Sequence, residues 1–151
     1  MTKPRVLFLC SGNSARSQMA EAFTRAYAGD HVDAYSAGLE PKEIHPLTIR
    51  VMQERGFDLT GQRAKGLGEF LGKVHFGYLV TVCERAQEMC PVFPGVAIRI
   101  FWPFEDPAQA VGAEEERLTA FRRIRDAIDD RVRSWVQDEF HLPLQTASMP
   151  H

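Results

Sequence analysis

Val6-Leu7-Phe8-Leu9-Cys10, followed at once by Ser11-Gly12-Asn13-Ser14-Ala15-Arg16-Ser17, is a continuous apolar run that stops at a string of small polar residues. A run without alternation has no solvent face, so it reads as a strand buried on both sides, as in parallel sheets covered by helices. Beyond the loop, from Ser17 to about Ala28, Met19, Phe23, Ala26 and Tyr27 recur at helical spacing, and Gly29-Asp30 supplies a stop. Strand, tight loop and helix in this order open a crossover unit.

Further along, Val32, Ala34 and Ser36 alternate with Asp33, Tyr35 and Ala37 in a short second strand closed by Gly38. A helix follows from about Pro46 with Leu47, Val51 and Met52 on one face and Gly56 as terminator. Residues 58–72 carry no clear period. Phe76–Val82 and Val96–Trp102 read as third and fourth strands, and Leu118, Phe121, Ile124, Ile128, Val132 and Trp135 form one stripe of a long charged helix starting near Ala113. Parallel strands need long crossovers, and right-handed ones place helices on both faces of the sheet. The expected fold is α/β, a small doubly wound sandwich with a four-stranded parallel sheet. Residues 1–136 are expected to form a single catalytic domain and 137–151 a loose tail.

The 151 residues with 44% hydrophobic content suit one core and no second domain. Eighteen Lys plus Arg against 20 Asp plus Glu give a net charge of −2, which disfavours nucleic acid or an acidic membrane as partner. Val6–Cys10 is shorter than a signal-peptide core or a membrane span, so a cytoplasmic protein is expected. Three cysteines are too few and too odd for a disulfide framework; in a reducing compartment their chemistry is catalytic or redox. The pairing Gly61 to Gly66 imitates a nucleotide loop, but Leu67 stands where its lysine belongs, and no GxGxxG follows the first strand.

The loop after the first strand carries the chemistry. Ser11, Gly12, Asn13, Ser14, Ala15, Arg16 and Ser17, wrapped before a helix N-terminus, can aim successive backbone N–H groups inward at a tetrahedral oxyanion. Gly12 and Asn13 tolerate left-handed backbone. Arg16 can lay a planar fork of donors on two oxygens of the anion. The same field favours sulfur in its ionised form, which makes Cys10 a candidate nucleophile, although a cysteine ending an apolar strand can equally be plain core. Asp106, in Phe104-Glu105-Asp106-Pro107 after the fourth strand, would face the same sheet edge as a general acid; the plainer reading is that Asp before Pro opens a turn. Cys83 and Cys90 lack the spacing and the partners of a zinc site, since the five histidines do not cluster in sequence. No metal or bound cofactor is expected.

Cys10 to Arg16 followed by Ser17, between first strand and first helix, resembles the signature of the low-molecular-weight protein tyrosine phosphatase superfamily. The longer string Cys10–Glu21, CSGNSARSQMAE, is more similar to its arsenate reductase branch, in which thioredoxin is the usual electron donor. Phosphatases of the family carry a bulkier residue at Ser14 and commonly proline at Gln18. The resemblance runs from Val6 to about Trp135 and includes Ser36-Ala37-Gly38 and Asp106-Pro107.

It implies an enzyme that takes arsenate or phosphate, with Cys10, Arg16 and Asp106 at work; separately, a monomer is expected. It also implies a relay in which Cys83 displaces arsenite from Cys10 and Cys90 resolves the disulfide for an external thiol reductant. A helix over 83–90 would separate those two α-carbons by roughly 10 Å, beyond the roughly 4.4–6.8 Å a disulfide allows, so the segment must unwind in turnover. The alternatives are a phosphotyrosine phosphatase, in which water resolves the Cys10 intermediate, and a non-catalytic oxyanion-binding module. Ser17 could donate to the Cys10 sulfur or merely start the helix. Asn13, Glu21 and Ser36 match positions where some arsenate reductases hold potassium; Lys65 stands at the fourth, where its ammonium could replace the ion or sit in solvent.

Overall fold

The computed structural model describes residues 3–89 and 96–142. Strands β1 (Arg5–Cys10), β2 (Asp33–Gly38), β3 (Tyr78–Thr81) and β4 (Ile98–Phe101) form one parallel sheet in the order β2-β1-β3-β4. Helices α1 (Arg16–Ala28), α2 (Pro46–Gln53), α3 (Glu84–Met89) and α4 (Glu114–Phe140) complete the α/β fold. Strand order reverses between β1 and β3, and in such sheets the ligand crevice opens beyond the carboxyl ends of those two strands. Cys10 ends β1 and Cys83 follows β3, so both sulfurs sit on that edge.

Val6 to Leu9 are wholly buried, as the unalternating run requires. Phe8 meets Trp102 and, on α4, Trp135, at ring centroids 5.9 and 6.3 Å apart. Leu7 and Tyr35 lie side by side in register on the other face, where Tyr35 is closed off by Phe70 and Phe76, 5.5 and 5.4 Å away. The 58–72 stretch is therefore turn-built cover: a 3-10 turn at Leu67–Glu69 and a single parallel bridge, Gly38 to Gly66, pin it to the end of β2.

The ladders of β3 and β4 are shorter than the apolar runs that announced them. Phe76 is buried ahead of β3, and Val82 and Trp102, buried just past their strands, still donate backbone N–H to Leu9 O and Thr81 O at 2.9 and 2.8 Å. The helix α4 runs past residue 136, to Phe140. Phe140 extends its apolar stripe by packing on Trp135 and Tyr78 (5.5 and 6.0 Å), and the Tyr78 hydroxyl donates to Glu139 at 2.7 Å. Residues beyond 142 lie outside the described residues.

Candidate active site

Every carbonyl of the loop after β1 is taken from outside. Leu39, Glu40, Lys42 and His45 donate their backbone N–H to the carbonyls of Cys10, Ser11, Gly12 and Ser14 at 3.1, 2.9, 2.9 and 3.0 Å. The Gln18 amide takes Asn13 O at 3.1 Å, and Met19 N–H takes Ala15 O at 2.9 Å. A planar trans peptide points its N–H opposite to its C=O, so carbonyls held outward leave the next amides facing in. Among the described residues, no acceptor meets the N–H of Gly12, Ser14, Ala15 or Arg16.

Asn13 adopts left-handed backbone at φ 54° while fully buried. Its N–H donates to the Cys10 sulfur at 3.1 Å. The side chain is oriented without ambiguity: Lys65 backbone N–H, which can only donate, reaches Asn13 Oδ1 at 2.7 Å, leaving Asn13 Nδ2 to donate to Ser17 Oγ at 2.8 Å. Ser17 Oγ is thus an acceptor from Asn13, and it also shares a hydrogen bond with the Cys10 sulfur 2.8 Å away. Ser17 is an early helix residue in hydrogen-bond contact with Cys10.

Cys10 lines a cavity of about 270 Å³ with Ser11, Arg16, His45 and Asp106. Arg16 is buried, donates to Phe104 O at 3.0 Å and keeps its other terminal nitrogen 3.7 Å from Asp106 Oδ2. Asp106 does two things: Oδ1 accepts Ala108 N–H at 3.0 Å to open the turn Pro107–Gln109, and Oδ2 faces the guanidinium. Glu105 turns away to Arg123 at 3.1 Å. Cys83 is buried beside α3, its sulfur 3.6 Å from Ser11 Oγ and 3.4 Å from Ala86 N. With Ser11, Arg16 and Phe104 it lines a second cavity of about 340 Å³, so Ser11 and Arg16 wall off both sulfurs' spaces. Cys90 lies outside the described residues.

The four positions matched to a potassium site are together. Glu21 is buried, takes Ser36's hydroxyl on one oxygen and Arg25 on the other at 2.6 Å. The Lys65 ammonium stands 3.7 Å from Glu21 Oε1 and 3.5 Å from Ser36 Oγ, and donates to Arg63 O at 2.8 Å. Burial lowers the Lys65 pKa from its ordinary value, with Glu21 opposing. Asn13 Oδ1 already accepts from Lys65 N–H and from Gln18. Protein cations and donors take these oxygens, so the residues do not fit a resident metal ion.

Sequence reading passed over two residues. Gln18, fully buried, bridges Asn13 to Arg63 O and accepts from Gln62 at 2.6 Å; its replacement of a proline was the available signal. His45 joined the site only through folding, since nothing near it in sequence marks it.

A family model described as low molecular weight phosphotyrosine protein phosphatase matches residues 5–142. An arsenate reductase of Halalkalibacterium halodurans is 41% identical over 138 residues, covering 91% of this chain and 98% of that one. A solved arsenate reductase in the phosphate binding state superposes with a TM-score of 0.76 at 29% identity, over 89% of this chain and 98% of the other. A thioredoxin-dependent arsenate reductase of Corynebacterium glutamicum gives 0.70 at 30% identity, over 93% of this chain and 64% of its own length. On this match across nearly all the described residues, the chain belongs to the low molecular weight phosphotyrosine protein phosphatase family.

Proposed function

We propose that the protein reduces arsenate to arsenite with its own sulfurs and is re-reduced by an external dithiol of the thioredoxin kind in the cytoplasm. One observation carries the reading: a second buried thiol, Cys83, stands against Ser11 of the Cys10 loop, where a phosphatase needs only water. The arsenate reductases to which the chain is similar support the same substrate.

The backbone amides of Gly12, Ser14, Ala15 and Arg16 and the Arg16 guanidinium hold the anion over Cys10. The Cys10 thiolate attacks arsenic; an arsenate oxygen leaves as water, with Asp106 supplying a proton, a contribution of roughly 10²- to 10⁴-fold. Cys83 then attacks the Cys10 sulfur. The arsenic–sulfur bond breaks with its electron pair remaining on arsenic, which departs as arsenite, and a Cys10–Cys83 disulfide forms. Cys90 attacks Cys83, freeing Cys10 and leaving a Cys83–Cys90 disulfide for the dithiol to reduce. Since Glu84–Met89 is helical, that last bond requires α3 to unwind. Amide exchange over 84–89 rises sharply in the oxidised protein; unchanged protection excludes this step.

The deciding measurement is arsenate-dependent NADPH oxidation with thioredoxin and its reductase, run beside aryl-phosphate hydrolysis. Cys83→Ser abolishes the first and spares the second. Aryl-phosphate turnover without any arsenate turnover in the wild type establishes the phosphatase reading instead, and phosphate binding with neither activity leaves an oxyanion-binding module.

A further inference from the structure

His45 heads α2 and is held from three sides. Its backbone N–H donates to Ser14 O at 3.0 Å, its Nδ1 accepts Leu47 N–H at 3.0 Å, and its ring lies 4.8 Å from that of Phe121 on α4. A backbone N–H only donates, so Nδ1 carries no proton and the neutral ring carries its proton on Nε2. Among the described residues that Nε2–H has no partner, and His45 lines the cavity of Cys10, Arg16 and Asp106.

Capping alone does not call for histidine. Asparagine, aspartate and serine cap better and are shorter. What histidine adds is a second ring nitrogen, carrying a hydrogen, on a residue that lines the cavity. The charged groups around it are Arg117 on α4, Asp106 beyond β4, Arg16 on α1, and Lys42 and Glu43 on its own segment. Burial and Arg117 favour the neutral ring, against the pull of Asp106.

We propose that His45 presents Nε2–H to the oxyanion seated over Cys10, as a substrate-binding donor additional to the loop amides and Arg16. This deepens the arsenate reading and rests on it only for the identity of the anion. A neutral donor suits the place, because it binds the anion without adding a second cation that would compete with Arg16 for Asp106.

Inorganic phosphate binding to the reduced protein, followed by calorimetry, tests the assignment without turnover. His45→Asn keeps the cap and the melting temperature yet weakens phosphate, and raises KM for arsenate, by about ten- to hundredfold, the range for one hydrogen bond to a charged group. His45→Ala weakens both binding and stability. Nitrogen-15 spectra of the wild type show the Nε2–H tautomer, with that signal moving on addition of phosphate. Wild-type phosphate affinity in His45→Asn, or an imidazole signal indifferent to phosphate, overturns the proposal. Absence of wild-type arsenate turnover with the phosphate effect intact removes the reductase reading and leaves this one standing.

Discussion

A Cβ added to Gly38 would meet the backbone nitrogen of Asn13 at 2.8 Å, and Gly12 C and Ser11 O at 2.8 and 2.9 Å. The end of β2 is thus in backbone contact with the anion loop and forms its floor. Backbone cannot step aside as a flexible side chain can. Gly38→Ala costs about 1–3 kcal/mol of overpacking, lowering the melting temperature by about 3–10 °C and weakening phosphate binding; thermal melts and calorimetry check both.

Ser17→Ala removes the hydroxyl that hydrogen-bonds the Cys10 sulfur while leaving Asn13 N–H in place. Alkylation of Cys10 by iodoacetamide at neutral pH slows by about tenfold, the order of one charge-assisted hydrogen bond. Ser17→Thr retains the hydroxyl and restores most of the rate.

With Lys65 facing Glu21 and Ser36, exchanging sodium chloride for potassium chloride at equal ionic strength leaves arsenate turnover unchanged. Lys65→Ala lowers stability by about 2 kcal/mol. That is less than the usual cost of breaking a buried pair, because Arg25 still holds the other carboxylate oxygen.

His45 titrates below its ordinary value of 6.5 in the folded protein, mainly through burial and then Arg117. The unfolded chain therefore binds this proton more readily, and the stability it contributes is present above pH 6.5 and lost as pH falls below it. Urea unfolding between pH 7.5 and 5 shows a decline that is shallower in His45→Asn.

The anion loop and its helix were legible because residues 6–28 are contiguous: each part needs only its neighbours in sequence. The same holds for the stripe of α4. Lys65, Gln18 and His45 were harder, since their roles depend on meetings across 52, 45 and 31 positions, between Lys65 and Asn13, Arg63 and Gln18, and Ser14 and His45. Residues 58–72 stayed opaque because their order comes from Gly38, Tyr35 and Asn13 rather than from any period of their own. Asp106 opens a turn with one carboxylate oxygen and faces Arg16 with the other, a placement that only the folded chain reveals.

The outward anchoring of the loop carbonyls leaves a cradle rigid before any ligand arrives, and a rigid ring of amides measures only size, shape and charge. Phosphate satisfies all three, so on the proposed reading it is a standing competitor in the cell, and ground-state affinity offers little selectivity. Discrimination then falls to the second sulfur: arsenic can accept an electron pair from a departing thiol, phosphorus cannot, and the choice between them is made by chemistry after capture.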